Sequence, residues 1–305
     1  MHPRPPSRRW WMPGLSTAWP ALRARNASRR SPRPRIARNA RRRSNGKPGR
    51  SRPWRTSNSR RKTMIDFVET AMAGQARQMC EAVIAAPRYS RLGQLTGDPG
   101  TGKTAATNWL AQEMGAIRVE AWAGMKEKTL LQELAYQFNR AGHSVDETGT
   151  SNTLIRRLIR LAPAGQLIIV DEANHLKWPA LEMLRSISDI GGAGLVIAGT
   201  DLLAKKFTHP QIRVFLEQFR QRVGTKKVVM QPVTDPAELA AYVLAPRFGS
   251  VTKTSAKTFL RKTGGNWRFA VALSDACTRL MENEKITKLD ERVIETAAAW
   301  MAGHS

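Results

Sequence analysis

Eight consecutive residues, Gly97-Asp98-Pro99-Gly100-Thr101-Gly102-Lys103-Thr104, have the types and spacing needed to hold a triphosphate. The pattern is G-x-x-x-x-G-K-[ST]. A triphosphate needs several backbone N–H donors converging on its β and γ oxygens. Only a glycine-rich turn lets the main chain approach that closely and adopt positive φ angles. Lys103 supplies a point charge for those phosphates and Thr104 a hydroxyl for Mg²⁺. The helix that follows adds the positive end of its dipole. The expected ligand is a nucleoside triphosphate with Mg²⁺.

A second pair, Asp171-Glu172, follows the apolar run Leu167-Ile168-Ile169-Val170. The carboxyl end of a parallel strand is where α/β sheets place ligands. Asp171 is expected to hold Mg²⁺ there, directly or through water, opposite Thr104. Glu172 is expected to take a proton from an attacking water as general base. An acidic pair opening an ordinary loop is the alternative, and the phosphate loop upstream in the same sheet favours chemistry.

These residues need strands and helices to position them. Residues 89–96 can supply the strand entering the phosphate loop, and 105–111 continue as a helix. Short apolar runs at 116–122, 167–170, 195–198 and 226–230 read as further strands. Between them, 126–141, a stretch through Leu154 and Leu158, and 179–190 read as helices. Residues 67–85 read as a helix before the first strand, and Ser151-Asn152 as a cap. After Pro232 only helical signals remain, near 235–246, 255–263, 266–282 and 290–301. The expected division is a nucleotide-binding α/β domain over 63–233 and a helical domain over 234–305. Trp109 and Trp122 are expected in the core.

The formal net charge of +26 is unevenly spread. Residues 1–62 carry 20 Lys+Arg and no acidic residue, which leaves 30 basic against 24 acidic residues in the rest. That first segment is Arg-, Pro- and Ser-rich and has no helical or strand period, so disorder is expected. It reads as a basic arm for nucleic-acid phosphates, as a targeting peptide, or as an over-extended start with the protein proper opening near Met64. The isoelectric point therefore does not by itself assign function. Two cysteines, Cys80 and Cys277, exclude a disulfide framework and a CxxC metal pair. No apolar run reaches membrane-span length, so no membrane partner and a cytoplasmic location are expected.

Taken in order, 97–104 looks like a Walker A motif and 167–172 like a Walker B. A strand then ends in the polar Thr200, an arginine-bearing helix follows, and the tail is all helical. This order resembles the AAA+ ATPases over about 64–305. The resemblance implies a P-loop NTPase fold, a parallel five-stranded sheet with flanking helices, followed by a small all-α lid. It also implies ATP as the nucleotide.

By similarity, Thr200 takes the sensor-1 position, touching the γ-phosphate or the attacking water; family members often carry Asn there. Gln218-Phe219-Arg220-Gln221-Arg222 precedes the fifth strand, where the family carries an arginine finger that completes a neighbour's site. Arg222 or Arg220 would serve, with Arg213 a weaker third. A solvated helix face is the ordinary alternative for each. Gly264-Gly265-Asn266-Trp267-Arg268 resembles the sensor-2 pattern, in which Arg268 would reach from the lid to the nucleotide. Asn266 is a natural N-cap there.

Within AAA+, the chain most resembles the transposition-helper type, the group of the Mu-like phage B proteins. That resemblance implies an ATP-bound homo-oligomer assembled on DNA through backbone contacts without strong sequence preference. It implies delivery of target DNA to a transposase, and activation of that enzyme. The group's N-terminal helix-turn-helix is not legible in 1–62. Two other readings stay open. One is a helper of another machine, either secretion-associated or helicase-loader-like, and the other is a nucleotide switch that binds only protein partners.

Overall fold

The computed structural model describes residues 67–303; the segment 1–62 and the readings attached to it lie outside the described residues. Five parallel strands form one sheet: β1 (Leu92–Gly97), β2 (Ile117–Glu120), β3 (Leu167–Asp171), β4 (Gly194–Ala198) and β5 (Lys227–Met230). Their spatial order is β2-β3-β4-β1-β5. The chain leaves β1 toward one edge and returns past it to β5. The switch point therefore falls at the carboxyl end of β1, where open α/β sheets bind ligands.

β3 and β4 are buried at every position, which is why both read as continuous apolar runs. Alternate residues nevertheless face different helices. Ile168, Val170, Leu195 and Ile197 pack with α3 (Glu127–Arg140), α4 (Ser151–Leu161), α5 (Trp178–Ser186) and α7 (Arg213–Val223). Leu167, Ile169, Val196 and Ala198 pack with α1 (Ala71–Ala85) and α2 (Lys103–Glu113). The short α6 (Asp201–Thr208) joins the first group through Leu203 and Phe207. β5 is an edge strand and mostly open to solvent.

From Val233 onward the buried residues form a separate all-helical cluster. It is built by α8 (Pro236–Leu239), α9 (Ala245–Phe248), α10 (Lys253–Thr263), α11 (Trp267–Glu284) and α12 (Glu291–Ala302). Side-chain caps set where these helices start. Asp235, Thr252, Asn266 and Asp290 each accept a bond from a backbone N–H two or three residues on. Phe259 is fully buried in this cluster. Truncating such a residue to alanine costs about 3–5 kcal/mol.

Some expectations shift. The first helix begins at Ala71 because the Thr70 hydroxyl accepts from Ala73 N at 3.2 Å. Phe67, expected inside that helix, stacks on Trp109 with ring centroids 4.8 Å apart. The cap of α4 is Thr150, whose hydroxyl accepts from Thr153 N, one residue before the expected pair. Trp122 is 48% exposed and not a core residue, since it lies in the turn after β2 where no helix covers it.

Candidate functional site

The phosphate loop leaves β1 through Gly97 at φ 152° and turns through Gly100 at φ 85°. A Cβ on Gly97 would stand 2.3 Å from the Met230 carbonyl oxygen, so β5 itself demands glycine there. Inside the loop, the Thr101 hydroxyl donates to the Asp98 carbonyl at 2.8 Å. Gly102, left-handed at φ 93°, caps α2 without a side-chain bond, leaving the first N–H groups of that helix for an anion.

Lys103 is buried and folded back over the loop. Its Nζ donates to the Gly97 carbonyl at 2.8 Å and to the Asp98 carbonyl at 2.7 Å. Burial lowers its pKa below the ordinary lysine value, and the negative charges of Glu172, Asp171, Asp98 and Asp201 act against that shift. Thr104 is exposed on the first turn of α2.

Asp171 ends β3 with no exposed surface. Its Oδ2 accepts from the Thr107 hydroxyl at 2.8 Å and from Arg118 Nη2 at 2.8 Å, and its Oδ1 accepts from Glu172 N at 2.9 Å. Glu172 itself sits in the left-handed region at φ 51°, ψ 32°, which costs a side-chain-bearing residue about 1–2 kcal/mol. Strain of this kind gathers at functional sites. Its carboxylate is partly exposed and lies 4.0 Å from His175 Nε2.

The turn after β3 is tied to the turn after β4. Asn174 Oδ1 accepts from Thr200 N at 3.1 Å, and Lys206 donates to the carbonyls of Asn174 and Leu176. The Thr200 hydroxyl is buried and has no hydrogen-bond partner among the described residues. An unsatisfied buried hydroxyl of this kind is a place where a water or a ligand group can bind.

The helical region closes over the loop from the other side. Asn266 Nδ2 donates to the Pro99 carbonyl at 2.9 Å, and Trp267 N donates to the Gly100 carbonyl at 2.9 Å. A Cβ on Gly100 would lie 2.2 Å from Asn266 Oδ1. Arg268, next along α11, is exposed and has no ion pair among the described residues. Beside the loop is a largely apolar cavity of about 190 Å³, lined by Phe67, Val68, Met230, Tyr242, Val243 and Trp267 among others.

The two arginines of α7 differ. Arg222 is ion-paired with the buried Asp189 at 2.8 Å and is mostly buried. Asp189 also pairs with Arg185 at 2.5 Å, so Arg222 is part of a network within its own chain. Arg220 is exposed and pairs only with Glu217, three residues away, at 2.8 Å.

The residues present fit a nucleotide: positive-φ turns, free helix N–H groups, a buried cation and an apolar cavity converge. They also fit Mg²⁺, which takes one or two protein oxygens and completes its shell with water and phosphate oxygens. Thr104 and Asp171 are such a pair. Sequence reading brings out 97–104, Asp171, Glu172 and Thr200, but not Arg118, Asn174 or the cavity. It marks Lys206 only as part of a basic cluster that could face phosphates, whereas the side chain ties the turn after β3. Arg118 reads as one more polar position in an alternating edge strand, and no motif marks it.

An AAA domain family matches residues 87–207. The chain is 32% identical over 138 residues to the Mu-like prophage FluMu DNA transposition protein B of Haemophilus influenzae, covering 44% of this chain and 46% of that protein. It thus spans about half the length of that relative. A potential ATP-binding protein of Staphylococcus aureus is 25% identical over 266 residues, covering 76% of this chain and 95% of that protein. Among solved structures, Cdc6p from Pyrobaculum aerophilum superposes with a TM-score of 0.57 at 16% identity, covering 79% of this chain and 69% of the other. A Walker-type ATPase of Pyrococcus abyssi does so with a TM-score of 0.56 at 14% identity, covering 80% and 73%. Residues 87–207 thus match an AAA domain, the fold is shared with Cdc6p and the Walker-type ATPase, and the chain resembles the AAA+ ATPases of the transposition-helper type.

Proposed function

We infer that this chain is an ATP hydrolase that assembles on DNA in its ATP-bound form, delivers target DNA to a transposase and activates it. The observation that carries the first part is the convergence at the carboxyl end of the sheet of the 97–104 cradle, the Asp171-Glu172 pair and the apolar cavity. Similarity to a transposition protein B supports the second part.

In this reading 63–233 is the nucleotide-binding domain and 234–305 the lid. The cradle residues Gly97, Asp98, Pro99, Gly100, Thr101 and Gly102 wrap the phosphates. Lys103 exchanges its two carbonyl partners for β and γ oxygens. Thr104 and Asp171 hold Mg²⁺, which when bound offsets the charge of the phosphates. Glu172 takes the proton of the attacking water, and the orphaned Thr200 hydroxyl orients that water or the γ-phosphate. Arg268 reaches the nucleotide from α11.

The neighbouring subunit contributes an arginine. Arg222 is held by Asp189 within its own chain, so Arg220 is the better-placed of the two, with Arg213 also exposed. An exposed apolar patch supports assembly: Trp178 stacks on Phe215 at 4.5 Å, and Val214 beside them is 74% exposed. For DNA, α4 presents Arg156 and Arg160 beside an open groove, while Arg157 between them is held by Asp146 and the carbonyls of Asp146 and Thr148. Lys206 is committed to backbone carbonyls and is a poor DNA contact.

The test is retention of the full chain on DNA with a non-hydrolysable ATP analogue, alongside phosphate release with and without DNA. Nucleotide-dependent retention and DNA-stimulated release are expected. Nucleotide binding without DNA retention would sink the DNA part and favour a switch acting on protein partners.

A further inference from the structure

Arg118 lies on β2, one strand away from Asp171 on β3, and takes no part in the chemistry assigned above. Its guanidinium nevertheless makes the closest charged contact to that carboxylate. Nη2 stands 2.8 Å from Asp171 Oδ2 and 3.1 Å from Glu120 Oε2, while Nε donates to the Thr107 hydroxyl at 3.2 Å. Thr107 in turn donates to the same Asp171 oxygen. The guanidinium is thus tied to β2, β3 and α2 together, and its side chain is only 16% exposed.

A carboxylate offers about four lone-pair positions. Thr107 and Arg118 take both on Oδ2, and Glu172 N takes one on Oδ1. A single position on Oδ1 remains. The positive charge at 2.8 Å, shared with Glu120 at 3.1 Å, also offsets part of the field that Asp171 would otherwise offer a cation.

We propose that Arg118 is a positioning residue that acts through Asp171 to weaken Mg²⁺ binding at the nucleotide site, restricting the carboxylate to one contact and offsetting part of its charge. The inference rests on the reading of 97–104 and Asp171 as a nucleotide–Mg²⁺ site. Its consequence is a cation held chiefly by nucleotide oxygens, which leaves with the nucleotide instead of staying on the protein.

The test uses the full chain and a fluorescent, non-hydrolysable ATP analogue. Binding is measured first in EDTA and then across a Mg²⁺ titration, for the unmodified chain, Arg118→Gln and Arg118→Lys. Glutamine keeps a donor and loses the charge; lysine keeps the charge. In Arg118→Gln the Mg²⁺ concentration at half-effect should fall about tenfold, as expected for unmasking a unit charge beside a divalent ion. In Arg118→Lys it should stay close to that of the unmodified chain. Affinity in EDTA should hold in Arg118→Lys and weaken in Arg118→Gln, where the unmasked carboxylate repels the metal-free phosphates.

An unchanged or higher Mg²⁺ requirement in Arg118→Gln, with EDTA binding still measurable, overturns the proposal. So does loss of the unmodified chain's cooperative thermal unfolding in Arg118→Gln, which would assign Arg118 to folding. Absence of binding by the unmodified chain would instead remove the nucleotide-site reading beneath it.

Discussion

Asn266 and Pro99 are 167 positions apart in sequence, yet the side-chain amide of the first donates to the carbonyl of the second at 2.9 Å. The same asparagine accepts from Phe269 N at 3.1 Å and so caps α11. One side chain therefore starts α11 with its oxygen and holds the 97–104 loop with its nitrogen. Any movement of α11 is felt at Pro99 and Gly100.

Replacing the nitrogen alone separates the two tasks. Asn266→Asp keeps the cap, so thermal stability should change by less than about 1 kcal/mol. Its carboxylate cannot donate to the Pro99 carbonyl, and nucleotide affinity should fall several-fold. Calorimetric unfolding and analogue binding on the same preparation check both. Equal affinity would show the contact to be incidental.

Glu172→Gln should retain nucleotide binding while phosphate release falls by roughly 10²–10⁴-fold, the usual worth of a general base. The ATP-bound assembly should then persist on DNA. Lys103→Ala should abolish both binding and assembly. A Glu172→Gln protein turning over at the unmodified rate would move the base elsewhere.

Lys103 gives a pH dependence with a defined sign. Its folded pKa is lowered, chiefly by burial, so it loses its charge below the ordinary lysine value of 10.5. Nucleotide affinity should fall as pH rises through that lowered value, earlier than an exposed lysine would allow. Stability moves the other way. Between the folded pKa and 10.5 the unfolded chain binds more protons, so ΔG of unfolding gains from this group as pH rises. Lys103→Arg should remove the alkaline fall in whatever affinity it retains.

Arg222 and Arg220 should part company. Arg222→Ala leaves the buried Asp189 with Arg185 as its remaining ion-pair partner, at a cost of about 1–3 kcal/mol in urea unfolding. Arg220→Ala, losing one exposed i,i+3 pair, should cost less than about 0.5 kcal/mol. If Arg220 completes a neighbour's site, mixing Arg220→Ala with Glu172→Gln subunits, which still bind nucleotide and assemble, should restore part of the hydrolysis that each lacks alone. No recovery in any mixture would argue against Arg220.

Thr200→Val removes a buried hydroxyl that has no partner. Stability should hold or rise by up to about 1 kcal/mol, because an unsatisfied polar group leaves the interior. Hydrolysis should fall while nucleotide affinity stays. A variant that hydrolyses at full rate would leave Thr200 with no task in the reaction.

The strands and the phosphate loop were legible because each rests on local chemistry. Four apolar residues before Asp171 announce a strand covered on both faces, and glycines at 97, 100 and 102 announce a loop that cradles phosphate. Thr200 was legible only as the polar end of a strand; its orphaned hydroxyl required coordinates. Arg118 and Asn266 were illegible as contacts because their partners lie 53 and 167 positions away. The cavity was hidden for the same reason: Phe67, Met230, Tyr242 and Trp267 meet only once the tail has folded back. Between Arg220 and Arg222, sequence offered no preference, since both occupy the last turn of one helix. Asp189, far upstream, is what distinguishes them.

The folded-back lysine has one more consequence. Lys103 donates to the Gly97 and Asp98 carbonyls, so those two oxygens solvate its ammonium and, on the nucleotide reading, stand in for phosphate oxygens. Arrival of a triphosphate swaps two oxygen acceptors for two others, so the tally of bonds at this side chain barely changes. Exchange of spent for fresh nucleotide then needs no reconstruction of the loop. On the reading proposed above, the ties from Asn266 to Pro99 and from Trp267 to Gly100 are then the contacts that a change of nucleotide has to accommodate.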